Sequence, residues 1–174
     1  RARAAAFTWA RAADGYLAAY RAASAARAAA VRVSVVVPAY NAERTVARTI
    51  ASVRAGLGPD DEVIVVDDGS TDGTPLVLIE EARIDERVAV VTLATNQGQS
   101  VARNEGIARA RGRYVMQVDA DDELQPGALD VLAGELDRDR SIQIAYGKIH
   151  WVDDTPQPDG SIVTTPAQYR DERG

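Results

Sequence analysis

The chain has no cysteine, one histidine, one lysine among its 20 basic residues, and no long apolar run. Without cysteine there is neither a disulfide framework nor thiol chemistry, and nothing marks a secreted compartment. The lone histidine, His150, lies in an alternating run with Lys148 and Val152 and reads as a strand residue rather than a ligand. No stretch approaches the roughly 20 apolar residues that cross a bilayer, and the start lacks the apolar core of a signal peptide. A cytoplasmic location is therefore the expectation, at most peripheral at the inner face of the membrane. A surplus of positive charge is missing too: 20 basic against 26 acidic residues give a net charge of −6. That excludes a general nucleic-acid binder, which needs a cationic face, and an acidic protein that handles phosphates needs a metal.

What is present fits one globular domain. A length of 174 residues supports a single substantial core, and 46% hydrophobic with 26% charged residues is ordinary for a folded domain. The first 30 residues stand apart, with sixteen alanines and five arginines against the single acid Asp14. There Trp9, Ala13, Tyr16, Leu17 and Tyr20 recur at steps of three and four, an amphipathic helix with Thr8 placed to cap it. Residues 1–30 read as a helical extension or linker, and 31–174 as the domain proper.

From Val31 onward short β-branched runs alternate with helical periods. Val33 to Val37, Val63 to Val66, Val88 to Leu93, Tyr114 to Val118 and Ile142 to Tyr146 are the strand candidates. The first two are apolar without alternation, as strands buried on both faces of a parallel sheet are. Between them fall a helix from Ala42 to Ala55 with Asn41 as cap and Gly56 as stop, and a helix with Pro75 in its first turn. Two more follow: one capped by Ser100 and running to Ala110, and one opened by Pro126 and ending near Leu136. The alternation predicts an α/β fold, Rossmann-like and doubly wound, with a mostly parallel sheet and helices on both faces. The last 20 residues, with Pro156, Pro158, Gly160 and Pro166, read as loop or hairpin, and Asp153 and Asp154 as part of its turn.

Polar residues gather immediately after the first, second and fourth strands: Pro38 to Asn41, Asp67 to Gly73, and Asp119 to Asp122. In an open parallel sheet, ligands sit beyond the carboxyl ends of the strands where strand order reverses. If the first two strands are neighbours and the fourth flanks the first, the three clusters share one crevice. Asp119, Asp121 and Asp122 would repel one another there unless a cation joined them. Oxygen ligands with no histidine or cysteine nearby select a hard ion, Mg²⁺ or Mn²⁺, which is characteristically completed by substrate phosphates.

Four blocks then carry a resemblance: Val33 to Asn41 (VSVVVPAYN), Val63 to Asp72 (VIVVDDGSTD), Asn96-Gln97-Gly98 with Ala102 to Ile107 (ARNEGI), and Asp119-Ala120-Asp121-Asp122. In that order they resemble family 2 glycosyltransferases of the GT-A fold over roughly residues 31 to 152. The resemblance implies a donor such as a UDP-sugar, with Pro38, Tyr40, Asn41, Asp67, Asp68, Arg103 and Asp119 around the nucleotide. Asp68, with Asp67 beside it, would accept the imide N–H of a uracil or the matching edge of another base, and Tyr40 would pack on base and ribose. Asp119 would lie near ribose and diphosphate, Asp121 would ligate the metal with Asp122 as a second contact, and Arg103 would brace the carboxylates or the diphosphate.

The implied chemistry is inversion at the anomeric carbon by an acceptor hydroxyl, with a metal relieving charge on the leaving diphosphate. The acceptor, a glycan, lipid-linked molecule or protein, is not encoded in the matched blocks. The catalytic base is expected beyond Gly174, which makes the domain truncated. Residues Phe7 to Ala23 resemble the closing helix of GT-B glycosyltransferases, which implies a preceding transferase module. Two other readings stand beside this one. A response-regulator receiver also carries an Asp pair, a later Asp and a lysine, but its pair follows the first strand. A nucleotide-binding module without catalysis of its own is the second.

Overall fold

A computed structural model describes residues 31–147 and the backbone of 152–156 and 162–166. The amphipathic segment in residues 1–30, Lys148 and His150 lie outside them. Strand β1 (Val33–Ala39) is buried over all seven residues, and β2 (Glu62–Asp67) over all six. Two parallel neighbours flank them, β3 (Val88–Thr92) on β2 and β4 (Tyr114–Gln117) on β1, so the sheet order is β3-β2-β1-β4. Among the described residues the helices are α1 (Val46–Ala55), α2 (Thr74–Ile84), α3 (Gln99–Arg109) and α4 (Ala128–Arg138). The doubly wound prediction holds.

The period-2 geometry of a strand divides β1 between two cores. Val33, Val35 and Val37 join Val63 and Val65 under Ile50 of α1, Leu78 of α2 and Leu129 of α4. Ile64 and Val66 face the other way, against Ala102 of α3. Each fully buried aliphatic side chain is worth about 1.5–3 kcal/mol, which is why the central strands tolerate no polar alternation. Helix α3 lies close on its side of the sheet: a Cβ on Gly106 would run into Val36 Cγ1 and sit 3.3 Å from Val66 Cγ2.

At the amino ends of the strands, two buried carboxylates stitch the sheet. Asp61 accepts from Arg32 Nε (3.1 Å) and NH2 (2.8 Å) and from the backbone N–H groups of Val33 (3.1 Å) and Gly58 (2.8 Å). Glu62 Oε1 accepts from Ser34 Oγ (2.6 Å) and the Arg111 N–H (2.7 Å). Burial pushes both carboxyls up, yet these donors outweigh it and hold both below their ordinary values.

Several local expectations are corrected. Helix α1 begins at Val46, not Ala42, with Thr45 at its cap, because Asn41 at φ 50° turns the chain and bonds elsewhere. Ser100 sits inside the first turn of α3, which Gly98 caps, and Gly127 precedes α4. Ile142 to Tyr146 forms no strand; Ile144 and Tyr146 are 79% and 89% exposed. Its alternating pattern supplies propensity, but a strand also needs a partner to bond, and none of the described strands takes it up. The tail does form an antiparallel hairpin, β5 (Val152–Pro156) with β6 (Ile162–Pro166). Asp153 and Asp154 belong to β5, opposite Thr165 and Thr164, rather than to the turn. Among the described residues no helix is long and apolar enough to cross a membrane.

Candidate functional site

The strand order reverses between β1 and β4, and the carboxyl ends of β1, β2 and β4 open there onto a cavity of about 430 Å³. Pro38, Tyr40 and Asn41 line it from the β1 end, Asp68 from the β2 end, and Asp119 and Asp121 from the β4 end. Three loops spread in sequence from Pro38 to Asp121 thus share one wall, as the strand-end positions of their polar clusters predict. Tyr40, 47% exposed, lines the cavity. Asp67, Arg103 and Asp122 are not among the lining residues.

The loops are fixed by bonds to one another. The Asn41 N–H donates to Ser70 Oγ (2.9 Å), and Asn41 Oδ1 accepts from the Thr71 N–H (2.9 Å). The Ala42 N–H donates to Thr74 Oγ1 (2.8 Å), and Glu43 Oε2 accepts from the Gly73 N–H (2.7 Å). Asn41 is thus a latch between the loops after β1 and β2 as well as a wall residue. Asp68, only 1% exposed, accepts the Gln97 N–H on Oδ1 and the Gly98 N–H on Oδ2, both at 2.8 Å. It thereby anchors the Asn-Gln-Gly loop. Gly69 makes that approach possible: at φ 68° its hypothetical Cβ would lie 2.6 Å from the Thr95 carbonyl carbon. Asp67 is buried beneath, with Oδ1 accepting from the Ser70 N–H (3.0 Å) and Oδ2 without a partner among the described residues.

The carboxylates after β4 differ from one another. Asp119 Oδ1 accepts from Arg103 NH2 (2.5 Å) and from Gln99 Nε2 (3.2 Å). Asp121 faces the cavity and has no hydrogen bond or ion pair among the described residues. Burial, then the negative charges of Asp121 and Asp119, push the Asp122 carboxyl above its ordinary value. Among the described residues no three acidic or histidine side chains converge as a preformed metal cage. An oxygen-only set with one open carboxylate instead fits a hard cation that keeps water and takes phosphate ligands.

Sequence reasoning missed Gln99, although its signal was available: it lies four residues before Arg103, so both side chains leave α3 on one face and reach the same carboxylate. Thr49, whose hydroxyl donates to the Ala120 carbonyl at 2.9 Å and so fixes the acidic loop, left no comparable signal.

A doubly wound parallel sheet with acidic loops at its switch point defines an α/β domain whose ligand cleft lies at the carboxyl ends of its strands. The chain belongs to glycosyl transferase family 2, whose family model matches residues 34–170. It is 46% identical over 98 residues to TuaG of Bacillus subtilis, assigned to teichuronic acid biosynthesis, covering 56% of this chain and 39% of TuaG. It is 44% identical over 97 residues to the succinoglycan biosynthesis protein ExoO of Rhizobium meliloti, covering 56% of this chain and 27% of ExoO. The chain therefore spans well under half the length of these relatives. Among solved structures, S. aureus TarS 1–349 in complex with UDP superposes with a TM-score of 0.57 at 35% identity, over 62% of this chain and 32% of that chain. TarS has also been solved with UDP-GlcNAc.

Proposed function

We propose that this chain is the donor-binding part of a glycosyltransferase that moves a sugar from a nucleoside diphosphate, a UDP-sugar in the first instance, to an acceptor hydroxyl with inversion. The observation that carries the reading is the shared wall: Tyr40, Asp68, Asp119 and Asp121 line one cavity although three separate loops supply them. In this reading Tyr40 packs on the base, and Asp68 accepts from its edge while holding the Asn96 to Gly98 loop. Asp119 lies by the ribose and diphosphate, and Asp121 takes a divalent cation, Mg²⁺ or Mn²⁺, that offsets charge on the leaving diphosphate. Asn41 latches the loops from within the wall, and Arg103, Asp67 and Asp122 act from behind it, by charge or by holding loops. The UDP and UDP-GlcNAc complexes of TarS support the choice of base. The names of TuaG and ExoO support a bacterial polysaccharide as the product class.

Calorimetry with UDP, with and without Mn²⁺, tests the reading. Metal-dependent UDP binding that Asp121→Ala weakens at least about tenfold is expected, since one lost charge-assisted contact is worth 1.5–3 kcal/mol. A chain that ignores UDP at millimolar concentration, with or without the metal, would sink it.

A further inference from the structure

Helix α1 reaches the loop after β4 with side chains from one of its faces. The Thr49 hydroxyl donates to the Ala120 carbonyl at 2.9 Å, in preference to the Thr45 carbonyl of its own helix at 3.5 Å. The Ser52 hydroxyl donates to the Thr49 carbonyl at 2.7 Å, which uses its one proton, and accepts the Leu124 N–H at 2.9 Å. Ser52 stands three residues from Thr49, so both leave α1 on the same side. What the Thr49 bond holds is the middle of a turn. The Asp122 N–H donates to the Asp119 carbonyl at 3.0 Å, closing a β-turn with Ala120 and Asp121 at its centre. The Ala120 carbonyl belongs to the central peptide of that turn, and flipping this peptide converts a type I turn into type II. The flip gives the third residue of the turn a positive φ. Among the described residues Asn41 is the only non-glycine with one, so Asp121 stands unflipped.

Resting on the nucleotide-sugar reading, we infer that Thr49 and Ser52 are positioning residues for donor binding. Thr49 locks the Ala120–Asp121 peptide so that Asp121 stays turned into the cavity, and Ser52 fixes the loop where it leaves the turn. Asp121 lines the cavity and its side chain bonds to no described residue, so its backbone alone aims it. Thr49 and Ser52 do not line the cavity, and they act through the backbone of residues 119–124 rather than by touching the donor. Thr49 is 1% exposed and Ala120 8%, so water is a poor substitute for either partner. Arg48 Nε meets Glu123 Oε1 at 2.7 Å beside them, but both side chains are partly open to solvent, and such a pair holds little. The hydroxyls therefore carry the role. Valine has nearly the shape of threonine without the donor, whereas serine keeps the donor and loses only a methyl group, so the two substitutions separate the bond from the packing.

The test compares Thr49→Val with Thr49→Ser in the full 174-residue chain. UDP affinity is read by calorimetry in the presence of Mn²⁺, at a temperature well below the thermal midpoint of every variant, so that a loss of stability alone leaves the affinity where it was. Thr49→Val is expected to weaken UDP binding about fivefold, the scale of one net hydrogen bond. Thr49→Ser is expected to bind UDP within about twofold of the unaltered chain, since the bond is kept. Ser52→Ala frees the Leu124 N–H at the far end of the loop and is expected to weaken UDP binding about two- to threefold. This variant, on a partly exposed residue, carries the test should Thr49→Val fail to fold. UDP affinity unchanged in the folded variants that lack a hydroxyl overturns the inference, even where their thermal midpoints fall, because the hydroxyls then only support the fold. Thr49→Ser weakened as much as Thr49→Val overturns it too, by assigning the effect to shape. In both cases UDP binding by the unaltered chain leaves the donor reading standing. If the unaltered chain binds no UDP, the donor reading itself falls, and the role assigned to Thr49 and Ser52 falls with it.

Discussion

Asn41 shows how far one residue can be read. Its chemistry, a short amide at a strand end, suits a helix cap, and that is the role its position predicts. The structure uses the same acceptor oxygen for the Thr71 N–H, 30 residues away, and the same residue's φ of 50° to turn the chain. A local sequence signal cannot separate the two, because both are an amide oxygen meeting a backbone N–H. The distinction is measurable. Asn41→Ala loses the latch and also forces a side chain into the left-handed region, whereas Asn41→Gly loses only the latch. Urea denaturation is expected to place Asn41→Ala about 1 kcal/mol below Asn41→Gly, the scale of the left-handed penalty. Equal stabilities would mean the turn relaxes and the φ value is not held in place. Tyr40, Asp68, Asp119 and Asp121 were legible for a different reason: a strand end in a parallel sheet fixes where its next residues go, whatever their partners. Asp67 was not separable from Asp68, since nothing in two adjacent aspartates tells which is buried beneath the other.

At the scale of elements, the parallel strands β1 to β4 and the helices α1 to α4 follow from periodicity, while the failures mark where an element depends on something outside itself. Residues 142–146 have strand composition and no strand partner among the described elements, so composition alone misleads. Helix α3 is informative, because one short sequence carries both its close packing on the sheet and its contacts to the acidic loop. Gly106 is the close-contact residue against β1, and Gln99 and Arg103 point from the same helix to Asp119. Gly106→Ala would drive a methyl into Val36 and Val66 in a fully packed layer. Overpacking of this kind costs about 1–3 kcal/mol, more than the few tenths to 1 kcal/mol that alanine gains over glycine in a helix. Thermal denaturation is expected to show a lower midpoint for Gly106→Ala. Because a displaced α3 carries Arg103 with it, UDP binding should weaken in the same variant. A midpoint at or above that of the unaltered chain would show that the helix can shift off β1 without loss.

At the scale of the molecule, the two ends of the sheet do opposite electrostatic work. The carboxyl ends hold Asp121, which bonds to no described residue, and Asp122, raised by its acidic neighbours, whereas the amino ends hold acids already satisfied: Asp61 by Arg32, and Glu62 by Ser34 and Arg111. The pH dependence of stability should follow from this asymmetry. Asp61 and Glu62 are held below their ordinary values of 3.8 and 4.5, and Asp85, beside Arg87, falls to about 2. A carboxyl depressed in the folded state adds stability that is complete above its unfolded value and is lost as pH falls through its folded value. Asp122, raised by burial and its acidic neighbours, has the opposite sign and favours the fold as pH falls. Asp72 and Asp139 are depressed as well, so among the described residues five depressed carboxyls stand against one raised, and the urea midpoint is expected to decline from about pH 5 downward. Glu62→Gln isolates one share of that decline. At neutral pH the amide keeps an acceptor for Ser34 or the Arg111 N–H but loses the charge facing the Arg111 guanidinium, at a cost of about 1–3 kcal/mol. Below the folded value of Glu62 the unaltered chain is itself protonated there, so the two stability curves should converge as pH falls through that depressed value. Curves that stay parallel over the whole range would mean that Glu62 holds the sheet by shape rather than by charge.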